Sequence, residues 1–154
     1  KLVYDSKLKL TNEAIISSNI PLTPKGSLMY SFKLTLGKIA FAKKDIYTNE
    51  AIISVLPNKN IVLNYHYYML PIYLLLNATE NIYGAKMLNQ KLINNSLLLN
   101  PPIKEQKQIA DYLDTKTTAI DKIVKNIEAQ ITTLKELRKT LINEVVTGKV
   151  KVSA

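Results

Sequence analysis

Between Pro101-Pro102 and Gly148 the chain contains no helix-breaking residue. A single helix of about 44 residues, roughly 66 Å long at 1.5 Å per residue, is therefore predicted there. No core built by the rest of a chain of 154 residues covers a helix of that length, so its apolar positions say how it is used. Leu113, Ile120, Ile127, Leu134 and Leu141 recur every seventh residue, and Ile109, Ile123 and Leu137 occupy the second seam position between them. Lys116, Gln130 and Glu144 interrupt that second seam, as polar residues do where they fix register at a cost in packing. Val124, Ile131 and Val145 widen the stripe on one side only, while Lys122, Lys125, Glu128, Lys135, Glu136 and Lys139 keep the remainder solvated. The pattern is that of a coiled-coil seam awaiting a helical partner. The competing reading is one long helix lying on its own globular domain.

Subtracting that helix leaves about 100 residues for one compact domain. The net charge of +9 is uneven: residues 1–60 carry nine Lys against four acids, and residues 101–154 ten Lys or Arg against seven. A basic surface on so small a chain suits an anionic partner such as nucleic acid, although a codon bias toward Lys, Asn and Ile raises the Lys count without one. Absence of cysteine rules out disulfides, thiol catalysis and cysteine-bound metal, and fits a reducing compartment. No apolar run reaches the length of a membrane span: 61–76 is broken by Asn64, His66 and Pro71. A cytoplasmic location is expected. The chain starts at Lys1 in sequence that already reads as structured, which suggests a piece of something longer.

The first 100 residues read as mixed strand and helix. Gly26 precedes a strand at 27–32 and Gly37 precedes a second at 38–42, with turn residues between; 51–56 is a third strand, ended by Pro57-Asn58. Tyr65 to Leu76 reads as a helix that Pro71 either kinks or forces to start late. Leu97-Leu98-Leu99 is expected to close the domain as a final strand. The whole is an α+β fold: a compact domain over 1–100, a long coiled-coil-forming helix over 101–148 and a short tail over 149–154.

Residues that carry chemistry are few. His66 is the only histidine, no HExxH pattern exists, and the four glycines form neither a phosphate-binding loop nor a dinucleotide fingerprint. Beside Tyr65, Tyr67 and Tyr68, His66 reads as a packed or hydrogen-bonding helix residue. Asp5, Glu13, Asp45 and Glu50 are isolated in sequence, and no spacing recommends them as paired carboxylates. Neither a catalytic set, a metal site nor a cofactor is expected. What stands out is nine Tyr without Trp, interleaved with Lys. Lys33 and Lys38 flank the Thr35-Leu36-Gly37 turn, and with Lys43, Lys44 and Lys86 they are the candidate phosphate contacts. Tyr30, Ser31, Thr35, Asn81 and Tyr83 are the candidates for reading bases. Surface lysines and core tyrosines are the competing reading.

The segment from Pro101-Pro102-Ile103-Lys104-Glu105-Gln106-Lys107-Gln108-Ile109-Ala110 to Asp114 resembles the junction that follows a target-recognition domain in specificity subunits of type I restriction-modification enzymes. The resemblance continues through Ile120-Asp121, Ile127, Leu137-Arg138 and the terminal Leu141 to Lys149. Upstream, Gly26 to Ser31, Gly37 to Ala40, Asn49 to Ile53 and Pro57 are similar to the strand, turn and strand pattern of the recognition domains, and Tyr83-Gly84-Ala85 falls where a glycine-containing loop is expected.

This resemblance implies a non-catalytic, DNA-reading role. Full specificity subunits commonly carry two recognition domains, each followed by a long helix, and the two helices pack antiparallel so that each domain reads half of a split target. The chain has one of each, so it resembles the C-terminal half of such a subunit or a half-sized version that pairs with itself. Double-stranded DNA, a DNA methyltransferase (modification) subunit, a restriction subunit and a second recognition half are the implied partners. Methylation and cleavage would belong to the other subunits. The alternative is a helical interaction module without specific DNA binding.

Overall fold

Alternation along 28–31 places Leu28 and Tyr30 on one side of a strand and Met29 and Ser31 on the other. The rest of the sheet follows that division. The computed structural model describes residues 2–6, 8–33 and 35–152. In chain order its elements are β1 (Leu2–Val3), α1 (Asn12–Ser18), β2 (Leu22–Thr23), β3 (Leu28–Ser31), β4 (Ile39–Ala42), β5 (Ile46–Tyr47) and β6 (Ile52–Val55). There follow α2 (Leu63–Leu76), β7 (Thr79–Glu80), β8 (Lys86–Met87), α3 (Gln90–Asn94) and α4 (Ile103–Val146). The architecture is α+β, a compact unit followed by one long helix.

The main sheet has the order β1-β4-β3-β6, with β1 parallel to β4 and the other pairs antiparallel. Its register pairs Leu28 with Phe41 and Val55, and Tyr30 with Ile39 and Ile53. The large side chains thereby share one face, and α2 covers it with Tyr65, Met69, Leu70 and Leu74. The Phe41 and Tyr67 rings stack with centroids 5.7 Å apart. Met29, Ala40, Ala42 and Ser54 lie on the opposite face, where Thr23 Oγ1 of the β2–β5 pair meets Ser54 Oγ at 2.7 Å.

The helix α2 starts at Leu63, two residues ahead of the predicted start, and Pro71 sits inside it. Proline has no N–H to give to the Tyr67 carbonyl, so one rung of the helix is missing there. His66 is buried, with Nδ1 3.0 Å from the Val62 carbonyl, as expected of a packed helix residue. Leu97-Leu98-Leu99, predicted as a strand, is irregular and exposed instead. An apolar run forms a strand only where a neighbour offers its backbone; here the Leu99 carbonyl accepts from the Tyr65 hydroxyl at 3.1 Å. Burial holds that phenol in its protonated form, pushing its pKa up, with Tyr73 and Glu105 adding to the effect.

The compact unit does not stop at the double proline but reaches Asp111. The first turns of α4 belong to its core, because Gln106 and Ala110 are about 1% exposed. Gln106 Oε1 accepts the Val62 N–H at 2.9 Å, while Nε2 donates to Asn100 Oδ1 at 2.8 Å and to the Pro101 carbonyl at 2.9 Å. Both amide donors and the amide oxygen are thus engaged. Beyond Asp111 the second unit is helix to Val146, ended by Gly148 at φ +74°, a left-handed position that suits glycine. From 118 to 143 every residue is exposed.

Replacing Gln106 with Leu keeps the volume but strands the Val62 N–H and two acceptors; urea unfolding is expected to show a loss of about 2–3 kcal/mol. The Tyr30 hydroxyl gives the opposite case. It is fully buried without a hydrogen-bond partner among the described residues. Tyr30→Phe is expected to unfold at the same urea concentration as the parent or higher, by up to about 1 kcal/mol.

Candidate nucleic-acid interface

The candidate phosphate-contacting lysines are sorted by the strand that carries them. Lys38 precedes β4 and Lys43-Lys44 follow it, so they stand at its two ends, roughly 17 Å apart at 3.3 Å per residue. At the Lys38 end, the turn joining β3 to β4 is closed by the Ser31 N–H donating to the Lys38 carbonyl at 2.9 Å and the Gly37 N–H to the Ser31 carbonyl at 3.1 Å. Gly37 takes φ +86°, which is why a glycine serves there. Ser31 Oγ and Thr35 Oγ1 lie 2.9 Å apart across this turn. Lys33, Lys38, Ser31 and Thr35 are therefore brought together as one polar, basic corner.

Both ends carry carboxylates that sequence spacing did not single out. Lys33 Nζ lies 3.6 Å from Glu50 Oε1. The Glu50 carboxyl is held below its ordinary range by its own backbone N–H and then by Lys33. At the far end, Asp5 Oδ1 takes Lys44 Nζ at 2.8 Å and pairs with Lys9 as well. Hydrogen bonds from Lys44, Lys9 and the Ser6 N–H keep Asp5 ionised well below the usual carboxylate range. The Asp5–Lys44 contact spans 39 residues and leaves no mark in the sequence.

Between the two ends, over the small-residue face of the sheet, runs an open groove of about 1190 Å³. Met29, Ser31, Ala40 and Ile52 contribute to its lining, as do Lys38, Asp5 and Glu50. The remaining candidates lie elsewhere. Lys86 is on β8 and donates to the Leu75 carbonyl at 3.3 Å. Asn81 spends its side-chain oxygen on the N–H groups of Tyr83 and Ala85, both at 2.9 Å, so it builds a turn, whereas Tyr83 itself is highly exposed. Tyr30 leaves the set of base readers, because it is wholly inside the core and burial raises its phenol pKa. Alternation along β3 carried the signal for that: Tyr30 shares the side of Leu28.

The seam residues Ile120, Ile123, Ile127, Leu134, Leu137 and Leu141 are all about half exposed or more, an exposed apolar stripe interrupted at Gln130. Leu113 is half-buried. Ile109 differs, since it packs against the core of the compact unit. Among the described residues no group of three or more His, Cys, Asp or Glu is placed to hold a metal ion, and no helix is long and apolar enough to cross a membrane.

Residues 3–133 match the family model of the type I restriction modification DNA specificity domain. The chain is 34% identical over 86 residues to the type I restriction enzyme EcoBI specificity subunit of Escherichia coli, covering 55% of the chain and 18% of that subunit. It is 23% identical over 124 residues to the MjaIX specificity subunit of Methanocaldococcus jannaschii, covering 79% of the chain and 28% of that subunit. The chain thus spans less than a third of the length of these curated relatives. A chain from a structural study of complex assembly and conformational transition of the type I R-M system superposes with a TM-score of 0.65 at 16% identity, over 80% of this chain and 31% of that one, which shows a shared fold. With a family model matched across the sheet, α2 and most of the long helix, the chain belongs to the type I restriction modification DNA specificity domain family.

Proposed function

We propose that the chain is the DNA-reading part of a type I restriction-modification specificity subunit, without catalysis of its own. It would read one half of a split target and direct a methyltransferase subunit and a restriction subunit, which supply the chemistry. The observation that carries this reading is the single family match running from the basic compact unit into the seam-bearing helix. Recognition is assigned to 1–100, spacing and pairing to the helix over 101–148, and no role to the tail over 149–154, of which Ser153 and Ala154 lie outside the described residues. Phosphate contact is assigned to Lys33, Lys38, Lys43, Lys44 and Lys86, and base contact to Ser31, Thr35, Asn81 and Tyr83.

Duplex binding that weakens steeply with salt is expected of the purified chain. Replacing Lys33, Lys38 and Lys44 together with Ala should weaken binding across DNA sequences and lower the salt slope by about one unit per lost contact. An unchanged affinity and slope would remove these lysines from the interface. No duplex binding even at low salt would favour the helical interaction module.

The long helix is proposed to pair with an equivalent helix, from a second copy or a second recognition half, through Leu113, Ile120, Ile123, Ile127, Leu134, Leu137 and Leu141, with Ile109 at its inner end. An exposed apolar strip of this length is unusual on a surface that meets only water. Sedimentation is expected to show a dimer that Ile127→Asp with Leu134→Asp converts to monomer; a parent protein already monomeric at micromolar concentrations would refute self-pairing.

A further inference from the structure

The β7–β8 hairpin carries the most exposed large apolar side chain among the described residues, Ile82 at 90%, with Tyr83 beside it at 86%. Turn chemistry does not ask for either. The turn is made by Asn81, whose Oδ1 accepts from the Tyr83 and Ala85 N–H groups, and by Gly84, whose N–H donates to the Asn81 carbonyl at 2.9 Å. Gly84 sits at φ +75°, and the Asn81 N–H donates to the Ala85 carbonyl at 3.0 Å. Ile82 and Tyr83 fill the two central positions, which usually take Pro, Asp, Asn, Ser or Gly. Hydrophobic burial within the chain gains nothing from them.

The base of the hairpin is fixed. Leu88, directly after β8, is buried in the core, and Lys86 both faces Glu80 in the ladder and donates to the Leu75 carbonyl. What Ile82 and Tyr83 offer a ligand at the tip is apolar contact, presented by a hairpin anchored at its base. Other highly exposed apolar residues, such as Leu8 and Leu97, lie in irregular segments rather than at the tip of a paired hairpin. For a chain of net charge +9 in a DNA specificity family, the matching apolar surface is the stacked face of a base pair. Aliphatic and aromatic side chains enter duplexes by partly unstacking one step.

We infer that Ile82 and Tyr83 form a wedge that enters a base step of the bound duplex, the Tyr83 ring stacking on an opened base and Ile82 filling the space beside it. This rests on the DNA-reading function proposed above. It assigns Tyr83 its ring, not its hydroxyl, as the working group.

The probes are a mixed-sequence duplex and the same duplex with one central mismatch, which lowers the unstacking cost. The parent chain is expected to bind the mismatched duplex about tenfold more tightly than the intact one, from stacking on one base. The double variant Ile82→Ala, Tyr83→Ala should lose that preference while its salt dependence on the intact duplex stays unchanged. Tyr83→Phe should keep the preference. Both positions are exposed, and urea unfolding of the variants alongside the parent checks that the fold is retained. Duplex binding by the parent without a mismatch preference overturns the wedge alone, as does a preference that survives the double variant or is lost in Tyr83→Phe. A double variant indistinguishable from the parent on every duplex would instead point the tip at a protein partner. No binding of either duplex at low salt removes the wedge and the DNA-reading function together.

Discussion

One buried amide holds the compact unit's layers in place. The Val62 N–H lies at the entry to α2, where a helix leaves backbone donors without intrahelical partners, and Gln106 reaches it from 44 residues further along the chain. The same side chain grips Asn100 and Pro101, so the strand-free approach to α4 is tied to the start of the helix that covers the sheet. Burying an amide costs free energy unless its donors and acceptor are all used, and here they are. Tyr65 adds a second tie from α2 to the same segment through the Leu99 carbonyl. The double proline suits this place, since Pro101 and Pro102 have no N–H to leave unpaired and Pro102 offers its carbonyl to the first turn of α4.

The sheet divides labour by side-chain size. Large residues on the α2 side supply the apolar burial, while Met29, Ser31, Ala40 and Ile52 on the other side line the groove. The basic residues stand at the ends of β4, outside the core, where a change of side chain costs little packing. Their carboxylate partners matter to any anion that approaches. Lys44 and Lys33 are already engaged by Asp5 and Glu50, contacts that are exposed, weak and screened by salt. A phosphate approaching Lys33 or Lys44 therefore competes with these carboxylates.

Legibility in the sequence followed the range of the forces involved. The seven-residue stripe marks α4 to within two residues of its end, because helix breakers and periodicity are local. The three central strands and α2 were legible for the same reason. The two-residue strands β1, β2, β5, β7 and β8 were not, since so few residues carry no period and exist only through their partners. Leu97-Leu98-Leu99 shows the converse, a strong strand composition with no neighbour to pair with. Among site residues, Lys33, Lys38, Ser31 and Thr35 converge as the turn between them predicts, but composition could not separate exposed Tyr83 from buried Tyr30. Gln106 was visible only as part of a familiar junction, and its contacts across 44 residues gave it a physical role.

The exposed stretch of α4 has an energetic consequence. Between 118 and 143 every residue is exposed, so the backbone hydrogen bonds and a few local ones, such as Thr132 Oγ1 to the Glu128 carbonyl, hold the helix there. In proteins most helical stability comes from packing an amphipathic face rather than from propensity. Should the stripe pair with a second copy, as proposed above, the stability of this segment is partly deferred to that partner, and its folding and association become a single equilibrium governed by concentration. A chain below that concentration would expose the same stretch to proteases, while the Gln106-locked first turns persist.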